Sequence, residues 1–133
     1  MPEKATGTFE VKIVPQTDRE VPTLGRMTID KQFRGDLEAT SQGQMLSTRG
    51  AIPNSAVYVA IERVEGTLHG KKGSFVLYHT GIMNRGESSL TVTVAPDSGT
   101  DELEGLSGTL RIIIAGGVHS YEMEYTLPNQ PKP

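Results

Sequence analysis

Apolar and polar residues alternate with a period of two along nearly the whole chain. Phe9, Val11 and Ile13 are separated by Glu10 and Lys12, and Met27 and Ile29 by Thr28. Two β-branched runs follow, 90–94 (LTVTV) and 110–114 (LRIII). Successive side chains of a strand point to opposite faces, so this alternation predicts half-buried strands. Gly, Pro, Asn and Asp cluster between the runs, where the chain must turn. No stretch carries the longer period of an amphipathic helix, and 101–106 has room for one helical turn at most.

The pattern predicts eight strands, at 6–14, 24–33, 35–47, 56–68, 73–83, 88–95, 105–115 and 118–127. The longer connections are 15–23, 48–55 and 96–104, and the tail 128–133 reads as a flexible end. Short Gly-x-Leu pieces at Gly35, Gly66 and Gly108 read as strand starts and bends where a wall curves. One domain, 1–133 with its core in 6–127, accounts for the whole chain. Eight strands joined mostly by short turns predict an all-β, eight-stranded antiparallel up-and-down barrel, with a β-sandwich as the alternative. A barrel of that size is either filled by side chains or holds one small ligand, and the pattern leaves both open.

Two hairpins define the inward face. The first has arms 57–68 and 73–81 with a turn near His69-Gly70-Lys71-Lys72. A His69-Gly70 loop pairs Leu68 with Lys71 and sets Glu62 opposite Leu77, diagonal to His79; a four-residue loop sets Glu62 opposite His79. Both loops are even in length, so Glu62 and His79 share a face either way, with Tyr58, Ala60, Val64, Phe75 and Leu77. In the last hairpin, Gly116-Gly117 predicts a two-residue turn, because glycine accepts φ > 0 at both positions. That register gathers Leu110, Ile112, Ile114, His119, Tyr121, Met123 and Tyr125 on one face. The other face carries an Arg111–Glu122 cross-strand pair, contributing roughly 0.2–1 kcal/mol.

Glu62, His79 and His119 are thus ionisable groups on otherwise apolar inward faces, with Tyr58, Tyr121 and Tyr125 beside them and Ser41 within reach. Burial raises the pKa of a glutamate and lowers that of an isolated histidine, which suits both to proton transfer near neutrality. Glu62 is then the candidate acid/base, His79 tunes or relays the proton, and Tyr58 or Tyr121 with His119 polarises an oxygen. Ser41, Phe75, Leu77, Ile112, Met123 and Tyr125 would line an apolar ligand. The competing reading is a satisfied network that only bridges strands. Two histidines and a carboxylate can also bind zinc or iron, but no tight spacing such as His-x-His is present, so no metal site is assigned. His69, at a turn, is expected to be exposed and receives no role.

Composition narrows the classes. The 133 residues carry a net charge of −3, and their one basic pair, Lys71-Lys72, lies in a turn. Nucleic acid is not an expected partner, since that needs a basic patch with stacking aromatics. No cysteine is present, which excludes disulfides and a thiol nucleophile and fits a reducing compartment. No run approaches the ~20 apolar residues of a membrane helix, and 1–5 lacks the apolar core of a signal peptide, so a bacterial-type cytoplasm is expected. Ser98-Gly99-Thr100 lacks the rest of a phosphate loop, and no Gly-x-Ser-x-Gly elbow occurs. Val57, Val59 and Ile61 form an apolar stripe on the outer face, which predicts a homo-oligomer.

Several strings resemble a small uncharacterised bacterial family with a domain of unknown function. They are Gly35-Asp36-Leu37-Glu38-Ala39-Thr40-Ser41, Tyr58-Val59-Ala60-Ile61-Glu62 and Gly73-Ser74-Phe75-Val76-Leu77-Tyr78-His79. Ser98-Gly99-Thr100-x-x-Leu103-x-Gly105-Leu106-x-Gly108 and His119-x-Tyr121-x-x-x-Tyr125 complete the match. The family is similar in turn to the allene oxide cyclase-like barrel superfamily, which includes the plant dirigent proteins. The resemblance implies an eight-stranded, often oligomeric barrel whose lumen steers a reactive, mostly apolar small molecule without a cofactor. No catalytic residue carries over, because the matching motifs belong to the uncharacterised family. The function expected is a cofactor-independent isomerase, cyclase or lyase, the alternatives being a non-catalytic binding barrel or a filled structural one.

Overall fold

The computed structural model describes residues 2–16 and 24–128. Eight strands are present: β1 (Glu3–Gln16), β2 (Leu24–Gly35), β3 (Leu37–Arg49), β4 (Ala56–Leu68), β5 (Lys71–Asn84), β6 (Glu87–Val94), β7 (Ser107–Ala115) and β8 (Val118–Thr126). Each pairs antiparallel with its sequence neighbours, and β8 closes on β1 to complete a barrel. Among the described residues the one further element is a 3₁₀ turn, Asp101–Leu103, where the sequence leaves room for a single helical turn. The described residues contain no helix long and apolar enough to cross a membrane.

Both hairpin registers match the sequence reading. Leu68 pairs with Lys71 and Glu62 with Leu77, which selects the two-residue His69-Gly70 loop. His69 (φ +48°) and Gly70 (φ +80°) supply the positive φ values that a tight hairpin turn demands. Ala115 pairs with Val118 across Gly116 (φ +59°) and Gly117 (φ +78°). Arg111 lies opposite Glu122 as the pattern predicts, but no ion pair joins them. Arg111 is exposed, and solvated charges gain little by pairing.

β1, β5 and β6 begin one to three residues earlier than the reading has them, and β3 and β7 begin two residues later. Gly35 (φ +108°) closes β2 and turns into Asp36, so β3 begins at Leu37. β7 begins at Ser107 because the segment before it folds back, with the Leu106 N–H donating to the Leu103 carbonyl at 3.0 Å. Of the connection 15–23, residues 17–23 lie outside the described residues, as do 129–133 of the tail. Leu127 packs on the core.

The two halves of the interior differ. Towards the β2–β3 and β4–β5 turns the barrel is filled by Phe33, Leu37, Leu68, Phe75, Leu77 and Met123, all buried. Leu103 and Leu106, carried by and just after the 3₁₀ turn, are buried with them and plug this end. Towards the other end the inward series continues to Ile13, Met83, Leu90 and Ile114, which remain exposed. Ile114 is 65% exposed although its strand position faces inward. The barrel is therefore packed at one end and open at the other.

Candidate functional site

Glu62 sits at the boundary between the two halves and is 0% exposed. Its carboxylate accepts three hydrogen bonds. Lys31 Nζ donates to Oε2 at 2.9 Å, His79 Nε2 to the same oxygen at 2.7 Å, and Ser41 Oγ to Oε1 at 3.0 Å. Four neighbouring strands supply these groups. Lys31 is on β2, Ser41 on β3, Glu62 on β4 and His79 on β5, each at an inward position of its alternation. Gly43 lies opposite Glu62, and a Cβ there would fall 2.7 Å from Glu62 Cα. Only glycine lets β3 approach so closely over this side chain.

The electrostatics follow from these contacts. Burial is the largest influence on Glu62 and acts to raise its pKa, but the hydrogen bonds and charges of His79 and Lys31 together outweigh it. The carboxyl is held below its ordinary value and stays ionised at neutral pH. This corrects the expectation that burial brings Glu62 towards neutrality: a cation absent from that reasoning, Lys31, sits against it. Lys31 is itself almost buried, its ammonium over the Phe9 and Phe33 rings at 5.1 and 5.7 Å. Such placement stabilises a desolvated cation.

An ionised carboxylate only accepts, so the hydrogen shared at 2.7 Å belongs to His79 Nε2. Its other ring nitrogen, Nδ1, has no hydrogen-bond partner among the described residues. Every fully buried side-chain nitrogen or oxygen of the described residues does have one. Nδ1 is therefore not fully buried, and is the ring nitrogen left open. Past Ala60, which pairs with His79, Tyr58 is the next inward residue of β4 towards the mouth: it pairs with Gly81, and its ring occupies the space a Cβ at Gly81 would need. Burial first, and then the Glu62 charge, push the Tyr58 phenol up, so its hydroxyl remains a donor. Beyond Tyr58, a cavity of about 390 Å³ opens among Met45, Ser47, Met83 and Leu90.

The other predicted residues lie apart from this cluster. The Tyr121 hydroxyl accepts from Leu37 N at 2.9 Å and donates towards the Arg34 and Leu37 carbonyls at 3.0 and 3.2 Å, which ties β8 to the β2–β3 turn. Tyr125 meets Nδ1 of His69, whose Nε2 lies 3.5 Å from Asp36. His69 is exposed as expected, yet it latches the packed end. Burial pushes both tyrosines up. Phe75, Leu77 and Met123 belong to the packed core, and Ile112 packs against it. His119 stacks obliquely on Phe9, ring centres 5.3 Å apart, and makes no hydrogen bond to Glu62 or His79. No group of three His, Cys, Asp or Glu among the described residues is placed to hold a metal ion.

Lys31 is the member that the sequence reading missed. The signal was present: it continues the period-two series Ile29, Lys31, Phe33, all buried.

A family model described as a protein of unknown function (DUF3224) matches residues 5–125. Among solved structures, the chain is similar to a crystal structure of a protein with unknown function from the DUF3224 family from Shewanella oneidensis MR-1, at 1.84 Å resolution. The two are 48% identical, the match covers 98% of this chain and 100% of that one, and the TM-score is 0.90. No curated protein matches the chain.

Proposed function

The chain belongs to the DUF3224 family of unknown function, and we propose that its barrel takes a small, largely apolar molecule into the open half and moves a proton on it through His79. The reaction class is a cofactor-independent isomerisation, cyclisation or lyase-type elimination. One observation carries the reading: His79 is oriented by a buried, ionised Glu62 and has its second nitrogen free. A carboxylate that fixes the tautomer of an imidazole, and supports the cation formed when it takes a proton, is a recurrent device for general-base catalysis. Glu62 is then a positioning residue, His79 exchanges the proton, and Tyr58 donates to an oxygen that gains charge. Lys31 and Ser41 hold Glu62 ionised. The allene oxide cyclase-like resemblance supports the same picture by analogy of topology alone.

Native mass spectra of freshly purified protein, followed by denaturation, should release a small apolar molecule. Returned to the protein in D₂O, that molecule should gain deuterium at one carbon, and His79→Gln should abolish the exchange while still binding. Binding without exchange would replace this reading by a non-catalytic carrier, which the three-bonded Glu62 also favours as a structural anchor.

We also propose a cytoplasmic homo-oligomer built through the outer face of β3–β5. Leu46, Val59, Ile61 and Tyr78 are exposed there around a groove of about 760 Å³, and Ile61 is 64% exposed. A second copy of the chain is the simplest cover for such a face.

A further inference from the structure

The barrel closes most sparsely between β6 and β7. Every other neighbouring pair of strands is in register over seven to thirteen positions, whereas these two share a single position, Thr93–Thr109. No tight turn draws them together, because 95–106 leaves β6, makes the 3₁₀ turn and plugs the packed end before β7 begins. From Thr93–Thr109 towards the open end, the facing edges have no cross-strand partner. The opening that results has a volume of about 380 Å³ and is lined by four consecutive residues of each strand, 90–93 and 109–112.

Consecutive residues of a strand point to opposite faces, so this lining takes in inward and outward residues along edges that have no ladder partner. Its inner margin is Leu90, Val92, Leu110 and Ile112, and its outer lip is Thr91, Thr93, Thr109 and Arg111. Leu90 lines this slit and the mouth cavity alike, so the two meet at that residue. Along it, Val92 and Leu110 are buried in the core, whereas Leu90 is exposed.

We propose that the slit is a side entrance to the open half of the barrel, admitting an elongated or flat apolar molecule edge-on. The inference rests on the proposed ligand-holding lumen. The chemistry of the margins sets the class of molecule. The inner margin is wholly aliphatic, and the lip offers neutral threonine hydroxyls. Outside it, Arg111 stands beside two acids, Glu122 and Glu124, a net negative surround that disfavours an anion, while the aliphatic margin offers a cation no partner. The portion that passes is therefore uncharged.

The test uses the full chain with Thr91→Cys and Arg111→Cys, positions that face each other if the Thr93–Thr109 register is continued. The natural sequence has no cysteine, so these are its only thiols. They are joined by a disulfide or, across a wider gap, by a short bismaleimide. The probe is N-phenyl-1-naphthylamine, a neutral, flat, apolar fluorophore, followed by stopped-flow fluorescence. An entrance alters both directions of passage and leaves the equilibrium alone. Linked protein should load and release the probe roughly tenfold or more slowly than its unlinked form, with Kd within about a factor of two. Equal rates with intact binding would overturn the side entrance and leave the ligand-holding lumen standing. Failure of the unlinked protein to bind the probe, or binding that is insensitive to Tyr58→Trp in the mouth, would count against the lumen itself and remove the basis of the entrance.

Discussion

At the scale of single residues, Glu62 and Lys31 depend on each other. Each is a buried charge whose compensation is the other, so removing one strands its partner. Glu62→Gln or Lys31→Met alone should cost about 3–5 kcal/mol in urea-induced unfolding. The double variant should recover part of that loss, with a coupling of about 0.5–3 kcal/mol. Simple additivity would mean that the two charges do not compensate each other. The pair also sets an acid limit. Glu62 has a folded pKa below its ordinary value of 4.5, so it contributes stability that is complete above that value. The contribution is lost as pH falls from there through the lowered folded value. Stability of the natural protein should therefore drop on acidification across that window, and the Glu62→Gln profile should be flatter there. Equal slopes for both would show that Glu62 is not held ionised by folding.

At the scale of elements, the plug and the hairpins carry different information. Leu103 is fully buried at the packed end but belongs to a three-residue 3₁₀ turn in a long connection. Leu103→Ala should leave a cavity costing about 2–5 kcal/mol, measured as a lower urea midpoint. A cost well under 1 kcal/mol would mean that the end closes without it. Nothing local marked Leu103 as core, because its burial comes from the chain folding back across the barrel end. The hairpins were legible because their cause is local: Gly116-Gly117 sets a two-residue loop, the first hairpin's loop is even at either candidate length, and an even loop with period-two strands fixes the faces. Glu62 and His79 could be placed together on that ground alone. Lys31 could not, since joining β2 to the same cluster requires two further strand pairings whose turns are less distinctive. The slit was illegible for the same reason as the plug. LTVTV and LRIII both read as good strands, and only closure of the whole barrel decides that they barely pair.

At the scale of the whole molecule, the inner and outer faces of β4 divide the proposed work. Alternation along Tyr58–Glu62 turns Tyr58, Ala60 and Glu62 inward and Val57, Val59 and Ile61 outward. The outward residues lie on the strand that holds the buried carboxylate, so an interface formed on them would brace the site from behind without entering it. That arrangement predicts a separation of effects. The natural chain should sediment above its 14.4 kDa monomer mass and dissociate on dilution. Ile61→Glu places a charge at the most exposed point of the stripe, and should shift the population to monomer while the barrel stays folded by circular dichroism. Probe uptake through the slit should survive in that monomer, because β6 and β7 lie on another part of the wall. A natural chain that is monomeric at every concentration would remove the interface. A monomeric Ile61→Glu variant that also loses probe binding would show that the outer face and the lumen are one functional unit, with the brace required for the site to stay open.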